Sequence, residues 1–399
     1  LSGFFYAYTK VENMSSGAKV TSYIIPEVTP GVTPGSGTWD TLRLTGNAMT
    51  PTVNTATSDE ITDSRINQGS VVTSTDIGGD LTAELSYGSF DKLLEAAFYG
   101  AWTSNVLTVG DVRHTFSIAK NYMDVGVYSL FKGVHIPTFA LDIPSDGKVT
   151  VTFGTACLDY TDSSAPIVLA PAGPTTTPFM SNGNVGTLLI DGASMEGQAC
   201  VSAMTISLDN GLQAQRCIGT DKMGPGAQIA TEAAITGTIT LAWSATAWGI
   251  WKNTFTRKPV AVEFPITDSV GNKYTFSFPA VEVDGELPSG GKRDLIEVTL
   301  NYTVAKLAPT ITRAPYVAPT SVTVAPGTAT IAVAGTQQLT ATVAPAGAPQ
   351  GVNWTSSAPS KATVSSTGLV TGVASGSATI TATSKYDGTK LSTSTITVS

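Results

Sequence analysis

A chain of 399 residues is too long for one ordinary hydrophobic core and implies two or three domains. Only 13% of residues are charged and 42% are hydrophobic, with Thr, Ser, Gly, Val and Ala abundant, which excludes global disorder and favours turn-rich β structure. The formal net charge of −8 argues against a protein that grips nucleic acid by its phosphates and suits one that must not stick to it.

Residues 1–37 read as an N-terminal arm ending in Pro30-Gly31-Val32-Thr33-Pro34-Gly35, punctuation that continues neither a helix nor a central strand. A first domain follows over 38–165. Its early stretch, 41–78, is polar and carries Asp59, Glu60, Asp63 and Arg65. It is either an ordinary surface loop or an excursion whose charges meet a neighbouring assembly unit. Then Leu81, Ala83, Leu85 and Tyr87 alternate with Asp80, Thr82, Glu84 and Ser86, the period of a half-buried strand. Phe90, Leu93, Leu94, Ala97 and Phe98 fall on one helical face, with Ser89 placed to cap the start and Gly100 to stop it. Near the domain's end Val149, Val151 and Phe153 alternate with Thr150 and Thr152.

Residues 166–185, containing the run APAGPTTTP, form a linker by composition. A second domain spans 186–307. Ile239, Leu241 and Trp243 oppose Thr238, Thr240, Ala242 and Ser244, and Trp248, Trp251 and Phe255 follow at helical spacing. Ile296, Val298, Leu300 and Tyr302 oppose Glu297, Thr299 and Asn301. Phe90, Leu93, Trp243, Trp248 and Trp251 are expected to anchor helix-on-sheet cores rather than form a cofactor box. Residues 308–320, with Pro309, Pro315 and Pro319, form a second linker. Residues 321–399 contain short strands at the turn spacing of a β-sandwich, with Trp354 as the expected core anchor. This last part carries +2, leaving −10 for the rest.

The strand and helix of the two larger domains look like one element written twice. GDLTAELSYGSFDKLLEAAF at 79–98 aligns with GTITLAWSATAWGIWKNTF at 237–255 at an offset of 158. Arg113-His114-Thr115-Phe116-Ser117-Ile118 echoes Lys273-Tyr274-Thr275-Phe276-Ser277-Phe278 at an offset of 160. A repeat of this kind decides architecture: it implies two similar domains in one chain, and a ring with half as many chains as domains.

Alternation also implies a sheet with a dry face under the helix and a wet, Thr-rich face. An open sheet leaves unpaired backbone groups at its edges, and head-to-tail ring closure by strand pairing satisfies them. The wet face then lines a lumen, and Asp80, Glu84 and Glu297 are the acids expected to point toward it. In the alternative they are simply solvated.

Catalysis finds no support. His114 and His135 lie in no metal-ligand spacing, and no nucleophile elbow, P-loop or dinucleotide fingerprint is present. No catalytic residue, cofactor or metal is expected. Cys157, Cys200 and Cys217 have no redox or metal spacing and read as free, core-packed thiols. No stretch approaches the roughly 20 apolar residues that span a bilayer. The run Phe4-Phe5-Tyr6-Ala7-Tyr8 is too short and lacks the basic flank of a signal peptide.

Two resemblances add to this reading. Residues 322–383, with SVTVAPGTATIAVAGTQQLTATVAP and VNWTSSAPSKATVSSTGLVTGVASGSATITATS, resemble the bacterial Ig-like group 2 family, which implies surface display or binding. Thr38-Trp39-Asp40-Thr41-Leu42-Arg43-Leu44-Thr45-Gly46, Ser58-Asp59-Glu60-Ile61 with Arg65, and the run AELSYGSFDKLLEAAFYGAW resemble the tail tube proteins of long-tailed phages. The second domain lacks the Ser-Asp-Glu-Ile segment.

The tail tube resemblance implies a mainly β fold: tandem β-sandwich or barrel domains, each with a short flanking helix, plus a C-terminal Ig-like sandwich. It also implies a virion tail protein assembled in the host cytoplasm. Homotrimeric, pseudo-six-fold rings would stack into a tube that passes viral DNA without specific binding. Tail-tip, tape-measure and terminator proteins are the implied partners; host cell-surface carbohydrate is a further one for the Ig-like domain, and no membrane is involved. The competing expectation is a bacterial or viral surface adhesin built around the Ig-like module.

Overall fold

The alternating segments form strands, and among the described residues of the larger unit the principal strands fall into two series of seven, with short strands between them. The computed structural model describes residues 16–61, 63, 65–218 and 224–399. In the first series β1 is Val20–Pro26, β2 Thr50–Thr57 and β3 Ser70–Glu84; after helix α1 (Asp91–Phe98) come β4 Phe116–Tyr122, β5 Val127–Ile143, β6 Thr150–Ala156 and β7 Asp159–Ser163. In the second, β8 is Leu189–Ile190, β9 Val201–Asp209 and β10 Ala234–Ala242; after helices α2 (Ala245–Trp251) and α3 (Asn253–Thr256) come β11 Val260–Thr267, β12 Lys273–Asp284, β13 Glu297–Val304 and β14 Thr310–Ala314.

Both series pair in the same order. The first runs β2-β3-β6-β5-β4-β1, with β7 also on β5. The second runs β9-β10-β13-β12-β11-β8, with β14 also on β12. The offset of 158 is kept in the ladder: Leu81 faces Phe153 and its counterpart Ile239 faces Leu300. The offset of 160 is not. It sets β4 beside β12, whereas β4 occupies the place of β11 and β12 that of β5. Thr-Phe-Ser alternation suits any half-buried strand, so that echo is compositional.

β5 is long enough to serve two sheets. Its first part pairs with β4 and β7; beyond a register shift between His135 and Thr138 its second part pairs with β6. The other side of that second part pairs antiparallel with β9, from Thr138 opposite Asp209 to Ile143 opposite Met204. The two series are thereby laced into one sheet system within a compact unit, Leu1–Ala314. The N-terminal arm lies outside the described residues up to residue 15, and its later part supplies β1.

α1 sits on the dry face with Leu93, Leu94, Ala97 and Phe98 buried. Phe90 is buried too, and occupies the N-cap position without a side-chain cap. Ser89 does not cap the helix: its hydroxyl bonds Ser86 and Thr175. Tyr99, in the left-handed region at φ 49°, ends the helix before Gly100. In α2 Ser244 does cap, accepting from the Ala247 amide at 3.1 Å. Here the expectation for Trp248 is corrected. The helix breaks at Lys252, so its short inward face is Ala247, Ile250 and Trp251. Trp248 is 47% exposed, with the Lys252 ammonium 4.2 Å from its ring centre. Trp243 is partly buried against the core, edge-on to Trp251.

The second compact unit, Pro315–Ser399, is all β. Its strands are β15 Ser321–Ala325, β16 Thr328–Ile331, β17 Thr336–Gln338, β18 Thr340–Ala344, β19 Val352–Ser356, β20 Ala362–Val364, β21 Leu369–Gly372, β22 Gly376–Ser384 and β23 Leu391–Val398. Three sheets form, β15-β18, β16-β23-β22-β19 and β17-β21-β20. Trp354 on β19 is half-buried and packs against both hydrophobic clusters of this unit, so it joins them rather than sitting at the centre of one.

Candidate functional site

The polar face of the laced sheet is the site with the greatest extent. Strand register carries one row across seven strands: Glu84, Thr150, Asp142, Thr205, Thr238, Asn301 and Asp284 are successive ladder partners. The next row is Thr82, Thr152, Ala140, Ser207, Thr236, Thr303 and Glu282. Because side chains alternate, every member of these rows stands opposite the buried set Leu81, Val151, Leu141, Ile206, Ile239 and Leu300. The face is therefore made of short hydroxyl side chains with carboxylates set among them.

Asp80, Glu84 and Glu297 all lie on this face, as the alternation implied. The fold adds Asp142, Asp209, Glu282 and Asp284, which sequence reasoning missed. For Asp142 the signal was present in the alternation of Thr138, Ala140 and Asp142 against Phe139, Leu141 and Ile143. Two of the acids carry partners: Lys148 pairs with Glu84, and Arg257 stands 3.7 Å from Asp284. Both pairs are substantially exposed and contribute at most about 1 kcal/mol each. The remaining balance on the face is negative.

β2 and β3 continue past the core as a hairpin. Thr57 pairs with Ser70, and the Ser58 amide donates to the Gly69 carbonyl at 3.0 Å. Asp59, Glu60, Asp63 and Arg65 sit together, all exposed, in the loop at its tip. The same tip exposes Ile61 almost completely, and Val53, Val71 and Val72 on the stem are solvated. An arm with apolar side chains exposed on it gains free energy when a neighbour covers it. At the hairpin's base Arg216 pairs with Asp76, and Asn54 donates to the same carboxylate at 2.7 Å.

The two histidines are held by backbone. The His114 Nε2 lies 2.8 Å from the Gly100 carbonyl. His135 is buried, with Nδ1 2.9 Å from the Gly133 carbonyl, and burial pushes its pKa down. Cys157 is buried and its thiol pKa is pushed up by desolvation. Cys200 and Cys217 are exposed, against the expectation that all three thiols pack in cores. Among the described residues no three His, Cys, Asp or Glu side chains group as metal ligands, and no helix is long and apolar enough to cross a membrane.

Residues 17–304 match the phage tail tube protein family. The chain belongs to that family. The match covers both strand series except β14, and includes α1, α2 and α3. Residues 318–395 match the bacterial Ig-like domain (group 2). The chain is thus a mainly β structural protein of the phage tail, which assembles with itself and with other tail proteins, and carries an Ig-like domain at its C-terminal side. No curated protein matches it. Among solved structures, the bacterial integrin-binding protein invasin is similar at 11% identity, over 70% of this chain and 76% of that one. Its TM-score of 0.15 is too low to support any structural or functional argument.

Proposed function

We propose that the tail tube chain carries two tandem tube domains, 38–165 and 186–307, and that three chains close a pseudo-six-fold ring. Stacked rings form the tube through which viral DNA passes on ejection. The observation that carries this reading is the strand order repeated across the two series, joined edge to edge by β5 and β9. A side-by-side contact between like domains is what a ring repeats.

In this reading the Thr-rich face lines the lumen, and its acids repel DNA phosphate close to the wall, within about 8 Å at physiological salt. Neutralising Asp80, Glu84, Asp142, Asp209 and Glu297 together would make DNA passage slower and salt-sensitive; unchanged ejection kinetics would remove this role. The hairpin tip meets the next ring. The Ig-like domain is displayed outside, where many copies favour weak contact with host carbohydrate; a phage lacking it that adsorbs normally would exclude that contact. Tail-tip, tape-measure and terminator proteins meet the tube at its ends and in its bore.

Cryo-electron microscopy of the assembled chain tests the reading. Hollow stacked rings with true three-fold and approximate six-fold symmetry support it. Six chains per ring would keep the tube and remove the tandem arrangement. Dispersed chains that bind cell surfaces would favour an adhesin.

A further inference from the structure

The contact between β5 and β9 has no counterpart at the far end of the sheet. β12 holds the place of β5, yet its ladder with β13 stops at Asp284, and residues 285–289 pair with no strand among the described residues. At the opposite end β2 pairs, among the described residues, with β3 alone, and its other edge carries no strand. Ladder register makes Thr138 the counterpart of Asp284, since they face Gly154 and Asn301 at equivalent places in β6 and β13. By the same logic Ser207 on β9 corresponds to Thr50 on β2: they face Thr236 and Gly78, which are 158 residues apart.

We infer that residues 284–289 pair antiparallel with residues 47–52 of a second copy of this chain, in the register of the internal β5–β9 contact. Asn47 then stands opposite Ser289, Thr50 opposite Glu286 and Thr52 opposite Asp284. This inference rests on the ring reading and assigns its seam.

Three independent features fit this register. Leu287 is 60% exposed where its counterpart Leu141 is 1% exposed, and its partner in the register is the core residue Met49. Pairing covers an apolar side chain that is otherwise left in water.

The second feature is a matched pair of irregularities. The Asn210 amide donates to the Pro137 carbonyl, which sets the hydrogen-bonding phase of the internal contact. Carried over, that phase points the backbone of residue 51 at residue 285. Pro51 has no N–H to give. The Gly285 carbonyl that would have received it already accepts from Trp251 Nε1 at 2.9 Å. Neither residue leaves an orphaned group in the seam.

The third is Pro288. In this phase its nitrogen faces away from the second copy, so the missing donor does not interrupt the ladder. Until closure the open edge is covered locally. Lys120 Nζ donates to the carbonyls of Asn47 and Met49 at 2.7 and 3.3 Å, and the Met49 amide donates to Asn47 Oδ1 at 3.0 Å. A carbonyl's second lone pair allows Lys120 to remain when a strand arrives. The Met49 amide exchanges its side-chain acceptor for the Leu287 carbonyl.

Thr50 and Glu286 would occupy a non-hydrogen-bonded pair, where Cβ atoms come close enough for a disulfide. The test uses the full chain with Cys200→Ser and Cys217→Ser as background. Thr50→Cys with Glu286→Cys is compared with the register-shifted pair Thr52→Cys with Glu286→Cys. All three positions are exposed, so both variants keep the fold. Under mild oxidation of the assembled or concentrated chain, the in-register pair is expected to shift the non-reducing band from 41.1 kDa to three times that mass, and the shifted pair is not. Filaments that crosslink only through the shifted pair, or through neither, overturn the register and leave the tube standing. Absence of both filaments and crosslinks overturns the register and the ring reading together.

Discussion

The Tyr274 hydroxyl donates to the carboxylate of Asp91, 183 residues earlier in the chain. Tyr274 comes from β12 and Asp91 from the first turn of α1, so a core strand of one series is fastened to the helix of the other. The Gly88 amide donates back to the Tyr274 oxygen at 2.8 Å, and Arg313 on β14 pairs with the second oxygen of Asp91 while stacking over Trp102 at 4.5 Å. Asp91 also lies where an acid favours a helix N-terminus. The two series are therefore held here too, besides the β5–β9 ladder and the pairing of β14 with Val106–Thr108.

Tyr274→Phe should lower the stability of the 1–314 unit by about 2 kcal/mol, the range for a buried hydrogen bond to a charged group. Asp91→Ala should cost more, because it leaves both a buried phenol and Arg313 without their acceptor. Calorimetry of the single and double variants in a cycle measures the coupling; additive losses would show that the two groups do not interact energetically.

Burial, and then the Asp91 charge, push the Tyr274 pKa well above the ordinary value of 10.0, and burial alone raises Tyr302. A raised phenol keeps its proton in the folded state after the unfolded chain has lost it. The contribution is thus complete below pH 10 and is lost as pH climbs from there toward the folded values. Denaturation midpoints should be flat through neutral pH and fall at alkaline pH, with a shallower fall in Tyr274→Phe. A delayed rise of tyrosinate absorbance would accompany it.

At Gly237 an added Cβ would lie 2.1 Å from the Thr205 carbonyl and 2.4 Å from the Tyr302 hydroxyl. The gap exists so that this hydroxyl can cross under the strand and donate to Thr205 at 2.9 Å. Gly237→Ala should cost about 3 kcal/mol or more, since backbone as well as side chain must move. A soluble, unshifted thermal transition for this variant would contradict the packing described.

Trp251→Ala should cost about 3–5 kcal/mol, as a buried aromatic does, whereas Trp248→Ala should cost less than about 1 kcal/mol. Chemical denaturation of the two variants distinguishes the face the helix presents to the sheet.

Deleting residues 58–65 should leave the thermal transition of the 1–314 unit unchanged, because every described residue there is exposed. If the tip reaches the next ring, the deletion stops elongation, and electron microscopy would show single rings or dispersed chains. Full-length tubes from this variant would exclude the tip from ring stacking.

Local periodicity made much of this legible. α1 and the last part of β3 follow from Leu81 through Phe98 alone, because each buried side chain recurs at the period of its element, whereas β2 and the first part of β3 lie in the polar stretch 41–78, whose mostly exposed side chains carry no such period. The second helix was misread at Trp248, since three aromatics at helical spacing suggest a longer helix than one broken at Lys252. The β5–β9 ladder was also invisible, as register between strands tens of residues apart is decided by tertiary packing and not by neighbours in sequence. Asp209 was missed with it, for that ladder sets it opposite Thr138 and so on the same face as Asp80.

The β5–β9 ladder also bears on how assembly starts. Built from single-domain chains, the proposed six-domain ring would need five encounters before closing; built from this chain it needs two. Each encounter surrenders translational and rotational freedom, estimated at about 4–15 kcal/mol. Three of the six contacts are already made within the chains, where no dilution separates the partners. Nucleation of the first ring then depends on the third power of chain concentration rather than the sixth, which lets tubes begin early, while the pool of subunits is still small.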